Sequence, residues 1–254
     1  MPAPPSKTPA HPENLPGCMS DEPVLSTPWG AGWSSERIIE RLEPLALPRR
    51  CQRFAEVISG RLGSVTLLLD ELSDPHNRAA VVRSCDAFGV QELHSVQPAR
   101  DFSIHHGVAA GTERWVDVFA HESADLAVQQ LQRRGFELIQ THPKGELTPE
   151  DLVSVPRLAL ILGNEHRGID PVFASAARRS VRIPMRGFVE SLNVSVSAAV
   201  LLAAATRGRP GDLPESWRRH LYARALYYSV PRAREVLEAL GQRQNEGVTP
   251  RVDE

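Results

Sequence analysis

The chain has 254 residues, 41% of them hydrophobic, enough to bury one substantial core with extensions left over at both ends. Its formal net charge of -2 excludes a polycation that binds nucleic acid through total charge, so any such surface must come from local clusters of arginine. The longest apolar stretch, Val194 to Ala205, contains two serines and falls well short of the roughly 20 residues of a membrane span, and no basic-then-apolar leader opens the chain.

Of the 29 basic residues only Lys7 and Lys144 are lysines, a bias that GC-rich coding also produces, so the arginine excess identifies nothing by itself. Cys18, Cys51 and Cys85 form no CxxC pair and lack accompanying histidine spacing, which argues against a disulfide framework and against a zinc site. The expectation is a soluble protein of the reducing cytoplasm that holds no metal.

Residues 1–33 are rich in proline and poor in large aliphatic side chains, too little apolar surface to offset the entropy of ordering, and are expected to be a disordered leader. From Ser35 onward Ile38, Ile39 and Leu42 recur at helical spacing, and Leu47 to Arg61 reads as a second amphipathic helix bearing Arg49, Arg50 and Arg53. A core follows in which apolar runs alternate with helical patterns. Strands are predicted over 65–69, 91–96, 115–119, 136–140, 158–162 and 181–184, and helices over 77–88, 124–134, 171–177 and 193–206. That order implies an α/β fold, a parallel sheet with helices on both faces. After the linker signal Arg207-Gly208-Arg209-Pro210-Gly211, residues 207–254 read as a helical appendage running from Trp217 to Leu240 with a break at Pro231.

Three blocks carry chemistry-bearing residues. In the first, Asp74-Pro75-His76-Asn77 turns into a helix whose buried stripe is Val81, Cys85 and Phe88. Arg83 faces away from that stripe and, taken alone, reads as a solvated arginine, although the small Ala79 and Ala80 leave room beside it. Asn77 reads equally as a helix cap. The second block is the apolar strand Leu158 to Leu162 followed by Gly163-Asn164-Glu165-His166-Arg167-Gly168, a loop where parallel α/β proteins place ligands, or a simple tight turn. It is neither a GxGxxG fingerprint nor a P-loop. In the third, Ile183-Pro184-Met185 and Ser191-Leu192-Asn193 precede a helix apolar almost all round. Ser191 or Asn193 would cap that helix, and burial on every side would be completed by a subunit interface.

In this order the blocks resemble the signature of the SpoU/TrmH branch of the SPOUT methyltransferases, over about residues 48–206. The lead-in Arg49-Arg50-Cys51-Gln52-Arg53-Phe54 and the segment Gly111-Thr112-Glu113-Arg114-Trp115 are similar to the tRNA-specific members, with Ala109-Ala110 as a departure ahead of Gly111. The resemblance implies a C-terminal trefoil knot within a methyltransferase domain of residues 34–206, a homodimer, S-adenosylmethionine as methyl donor and tRNA as substrate. The acceptor would be a ribose 2′-hydroxyl, that of guanosine 18 in the D-loop. It further implies Arg83 as the catalytic residue, Asn77, Glu165, Ser191 and Asn193 around the target ribose, and Thr141, Gly163, Ile183 and Leu192 against the donor. Ribosomal RNA as substrate, and a catalytically silent RNA-binding protein of the same fold, are the alternatives.

Such a reaction is an in-line displacement in which two opposite charges disappear, so a pocket poor in water favours it. A guanidinium, as a chemical group, gives up its proton at pH 7 only at a cost of about 7 kcal/mol. The expected role of Arg83 is therefore a cationic clamp on a phosphate and on the developing alkoxide, with water or a phosphate oxygen as base. RNA affinity is expected from the arginines before the core (49, 50, 53 and 61) and after it (207, 209, 218, 219, 224, 232 and 234), with Trp217, Tyr222, Tyr227 and Tyr228 interleaved.

Overall fold

Successive side chains of a strand point to opposite faces, so an apolar strand with no polar alternation must be covered on both. Leu67, Leu68, Leu69, Leu160, Ile161 and Leu162 meet that condition: all are buried in the computed structural model of the protein. The structure describes residues 25, 27–30, 32–72, 74–96, 114–164 and 167–246, the last five by backbone alone. The elements are α1 (Ser35–Leu42), α2 (Pro48–Ser59), β1 (Leu62–Asp70), α3 (Pro75–Ala87), β2 (Val90–Val96), β3 (Asp117–His121), α4 (Ala124–Arg133) and β4 (Glu137–Thr141). A short 3-10 turn (Pro149–Ser154) leads to β5 (Leu158–Leu162), α5 (Pro171–Ala176), β6 (Arg179–Val181), α6 (Val194–Ala205), α7 (Glu215–Ser229) and α8 (Ala233–Glu246).

The strands form one six-stranded sheet in the order β3-β2-β1-β5-β4-β6, and every neighbouring pair is parallel. One face packs Leu67, Leu69, Leu160 and Leu162 against Val81, Val82 and Cys85 of α3, Leu152 of the 3-10 turn, and Ala198, Leu201 and Leu202 of α6. The other packs Leu68, Ala159 and Ile161 against Ala127, Val128 and Leu131 of α4 and Phe173 of α5. The expected α/β layering is thus present, as is the stripe Val81, Cys85 and Phe88. No helix among the described residues is long and apolar enough to cross a membrane.

Two strands are displaced along the chain by two residues or more from the sequence reading. β3 begins at Asp117, leaving Trp115 outside the ladder, and β6 ends at Val181 where a strand to Pro184 was expected. The second has a local cause: the Arg182 N–H donates to the Leu147 carbonyl at 2.9 Å, so the chain after β6 is captured by the loop that follows β4. Gly145 in that loop lies so close to the β6 backbone that a β-carbon there would come within 2.6 Å of the Val181 carbonyl carbon.

The helices outside the sheet form one layer. Trp29, Ile38 and Leu42 bury against Ala223 and Leu226 of α7, Val230 just past it, and Ala233 and Leu237 of α8, while Ile58 of α2 packs with Leu213, Trp217 and Leu221. This layer is fastened where β1, β2 and β3 begin. Arg224 grips Asp117 with bonds of 2.6 and 3.1 Å, both side chains 3% exposed, Arg61 pairs with Asp86, and the Asp212 N–H donates to the Arg61 carbonyl at 3.0 Å. Arg61 and Arg224, expected on an RNA surface, are therefore structural, and so is Arg209, whose guanidinium caps the carbonyls of Leu152, Val155 and Ala205. Arg224 is spent on a carboxylate that would otherwise be buried without a partner.

β2 carries a buried polar seam that its sequence disguises. Glu92 takes both arms of Arg134 at 2.6 and 2.7 Å, and His94 Nδ1 lies 2.8 Å from His121 Nε2. Burial first, then the neighbouring His94, holds the His121 imidazole down at about 4. The unfolded chain takes up a proton at that position as the pH falls below about 6.5, while the folded chain does not until about 4, so stability is lost on acidification across this window. Burial opposes ionisation of Glu92, yet bonds from His94 and Arg134 keep its carboxyl below the usual range, which continues the loss at lower pH. The melting temperature should fall steadily from pH 7 to pH 4. His121→Gln, which keeps a partner for His94, should flatten the upper part of that fall; equal slopes for both proteins would refute the assignment.

Candidate active site

In a parallel sheet all carboxyl ends share one edge. β4 lies between β5 and β6, so Thr141 at the end of β4, Gly163 just past β5 and Ile183 two residues past β6 line up along it. The Thr141 hydroxyl donates to the Ile161 carbonyl at 3.1 Å, which ties the end of β4 to β5. Ile183 packs partly on the core, and Met185 beyond it is 37% exposed.

The loop after β5 is latched to the end of β1. Asn164 and Gly168 exchange backbone hydrogen bonds of 2.8 and 3.0 Å, the Asn164 side-chain amide donates to the Glu71 carbonyl at 2.6 Å, and Arg167 pairs with the Glu71 carboxylate. Glu71 adopts φ 46°, an uncommon backbone for a residue with a side chain, held by these bonds. Further along, the Asp170 N–H donates to the Asp70 carboxylate at 2.6 Å. Burial raises the Asp70 carboxyl above its ordinary value, and that N–H opposes the rise. Glu165 lies outside the described residues, but the loop that carries it is pinned through Asn164 and Arg167. Sequence reasoning missed the latch; its only trace was an acidic pair, Asp70-Glu71, closing an apolar run.

Asp74 caps α3 by accepting from the His76 N–H at 2.8 Å, with Pro75 at the first helical position. Asn77 is therefore not the cap. Its side-chain oxygen accepts from the Asn193 amide at 3.0 Å, while Asn193 caps α6 by accepting from the Ser195 N–H at 2.8 Å and hydroxyl at 2.6 Å. Of the two candidate caps for α6, Asn193 fills the position and Ser191 is exposed, with Leu192 half-buried between them. Asn77 and Asn193 thus join the starts of α3 and α6 beside the strand ends.

Arg83 stands apart from that pair. Six residues along α3 carry it about 9 Å down the axis and about 120° round from Asn77. It is exposed and has no hydrogen-bond or ion-pair partner among the described residues. On α6, which packs against α3, Val196 and Val200 are 47% and 38% exposed. The helix expected to be buried all round thus keeps one bare apolar strip.

A model of the SpoU rRNA methylase family matches residues 64–203. The chain belongs to this family. The SpoU match runs from β1 into α6, takes in all three sequence blocks, and leaves α1, α2, α7 and α8 outside it. The chain is also 33% identical over 163 residues to the tRNA (guanosine(18)-2'-O)-methyltransferase of Escherichia coli (strain K12), covering 64% of this chain and 71% of that protein. With the protein of the same name from Thermus thermophilus it shares 35% identity over 161 residues, 63% of this chain and 83% of the relative. Among solved structures, a TrmH/SpoU tRNA modifying enzyme of A. aeolicus superposes with a TM-score of 0.57 at 27% identity over 80% of this chain and 98% of that one. The 109–113 segment lies outside the described residues.

Proposed function

We propose that this SpoU methylase transfers a methyl group from S-adenosylmethionine to a ribose 2′-hydroxyl of tRNA, that of guanosine 18 in the D-loop. The observation that carries the reading is the convergence of the Asn77–Asn193 pair with Thr141, Gly163 and Ile183 on one sheet edge, within a chain whose relatives bear that activity in their names. The donor fits this edge. The β5 loop closes so tightly at Gly163 that a β-carbon would strike the Gly168 backbone at 2.7 Å, so main chain rather than side chain forms its wall there, and Ile183 and Leu192 carry half-exposed apolar surface. Main chain and aliphatic side chains suit a neutral adenine and the methylene arm beside the donor's sulfonium.

When bound, S-adenosylmethionine supplies an electrophilic methyl group on a sulfonium. Asn77, Asn193, Ser191 and Glu165 orient the ribose, and Arg83 holds a phosphate and the developing negative charge while water or a phosphate oxygen takes the hydroxyl proton. Arg83, exposed and without a partner among the described residues, is completed as a site by a second copy of the chain, whose docking also covers Val196 and Val200; the protein acts as a homodimer in the cytoplasm. The catalytic domain spans residues 34–206 and carries a trefoil knot. The Arg182 bond to Leu147 and the packing of α6 on the 3-10 turn support such a thread. Residues 207–254 extend the RNA surface.

Incubation with labelled donor and bulk tRNA, followed by alkaline hydrolysis, should leave label in one hydrolysis-resistant dinucleotide. Label confined to ribosomal RNA would move the substrate, and label on a base, or none, would end the assignment. Binding should weaken steeply with salt. Neutralising the outward Arg49 and Arg207 together should reduce the slope of log K against log salt by about 1 to 2, since each phosphate contact adds about 0.7 to 0.9. An unchanged slope would remove them from the interface.

A further inference from the structure

At the opposite edge of the sheet, α2, α7 and the segment ahead of β3 enclose an open cleft of about 480 Å³, lined by Arg49, Arg50, Arg53, Phe54, Trp115 and Tyr228. We propose that this cleft is a subsite for one unstacked RNA nucleotide, its base against Trp115 and Tyr228 and its flanking phosphates against Arg49 and Arg53. The inference rests on the reading of RNA as substrate and adds where, away from the reaction, that RNA is held.

Charge selects an anionic occupant. The lining has three guanidinium groups and no carboxylate. Arg50 is committed, donating to the Ser229 hydroxyl at 2.9 Å and carbonyl at 3.4 Å. Arg49 has no partner among the described residues. Among the described residues Arg53 meets only Glu56, at 3.6 Å, with side chains 72% and 53% exposed, a contact that solvent makes weak. Two cations therefore remain for phosphate.

The aromatic wall selects a flat one. Trp115 and Tyr228 meet edge to face, ring centroids 6.0 Å apart and inclined by 78°, so they do not stack on each other. Tyr228 is 39% exposed, and the Arg114 guanidinium lies 5.0 Å from its ring centroid. Aromatic faces set among arginines are the usual platform for single-stranded nucleic acid, tolerant of sequence because every base has a π face. The volume falls within the roughly 300–1,000 Å³ of small-ligand clefts. Within one subunit position sets the cleft apart from the reaction: β1 has nine residues, about 30 Å of strand, and the cleft and the donor edge lie at opposite ends of the sheet.

The test uses the full chain with bulk tRNA and, as a second probe, a short single-stranded RNA. Trp115→Ala should raise the Kd for both, and the KM for tRNA, about tenfold, with kcat within about twofold, and Trp115→Phe should recover most of the loss. Where Trp115→Ala melts early, Tyr228→Leu on the exposed ring carries the same expectation. Ultraviolet cross-links to RNA should map to Trp115 or Tyr228. A folded Trp115→Ala protein with wild-type Kd and KM, or cross-links that avoid this wall, overturns the proposal while leaving the methyltransferase reading intact. So does loss of self-association or of protein binding with RNA affinity unmoved. If no RNA is methylated but the Kd still shifts tenfold, the cleft stands and the reaction assignment falls; absence of RNA binding altogether removes both.

Discussion

Arg83→Ala is expected to lower the rate of methyl transfer by about 100- to 1,000-fold, the size of effect seen when one donor to a developing oxyanion is removed. Because the side chain is exposed and has no partner among the described residues, the substitution should move stability by no more than about 0.5 kcal/mol. A fall in rate would then report chemistry rather than unfolding. Arg83→Lys separates the two roles an arginine could take here. Lysine keeps the charge and loses the planar fork, so a clamp that grips phosphate bidentately should fail with lysine at every pH. Restoration of full activity to Arg83→Ala by neutral amines, with the amine's own titration visible in the rate profile, would show a proton acceptor instead and would sink the clamp.

Gly163→Ala should weaken donor binding more than tenfold in calorimetry and lower the melting temperature by several degrees. A β-carbon at 163 would sit 2.7 Å from the Gly168 carbonyl carbon and 2.7 Å from Ile169 Cγ1, and backbone cannot rotate away as a side chain can. Forcing it in costs about 1–3 kcal/mol, and the relief available is to open the loop proposed to hold the donor. Gly168 offers the contrast. A β-carbon there meets nothing within 4 Å, but φ is +75°, so Asn, which tolerates the left-handed region, should be milder than Ala. Donor affinity unchanged in Gly163→Ala would mean that this loop is not part of the donor site.

The strands and helices of the core were legible because apolar periodicity is local, and burial on both faces left β1 and β5 no polar alternation to confuse it. The strand ends were less so. β6 stops early because the loop after β4 takes the Arg182 N–H, a competition between segments far apart in sequence. β2 was read as a strand, but nothing in Gln91, Glu92, His94 and Ser95 announces that all four are buried; Gln91, Glu92 and His94 find their partners, Asp117, Arg134 and His121, on other elements. Arginine was misleading for a related reason. Composition counts Arg61, Arg209 and Arg224 as surface cations, whereas burial and partner carbonyls or carboxylates decide which are available to meet phosphate. At the candidate site the signature blocks named Asn77 and Asn193 separately. Their 3.0 Å bond, joining residues at 116 positions' separation, is knowledge that only the fold supplies.

The shared helical layer at the amino edge of the sheet also sets an order of events during synthesis. Ile38 and Leu42 are completely enclosed, yet residues that enclose them, Ala223, Leu226 and Leu237, are translated long after them. Until α7 and α8 leave the ribosome, α1 has an oily stripe and no place to put it. A product stalled or truncated before α7 would present that stripe to chaperones and proteases even with its sheet already assembled, which makes α7 and α8 a seal on the folded molecule.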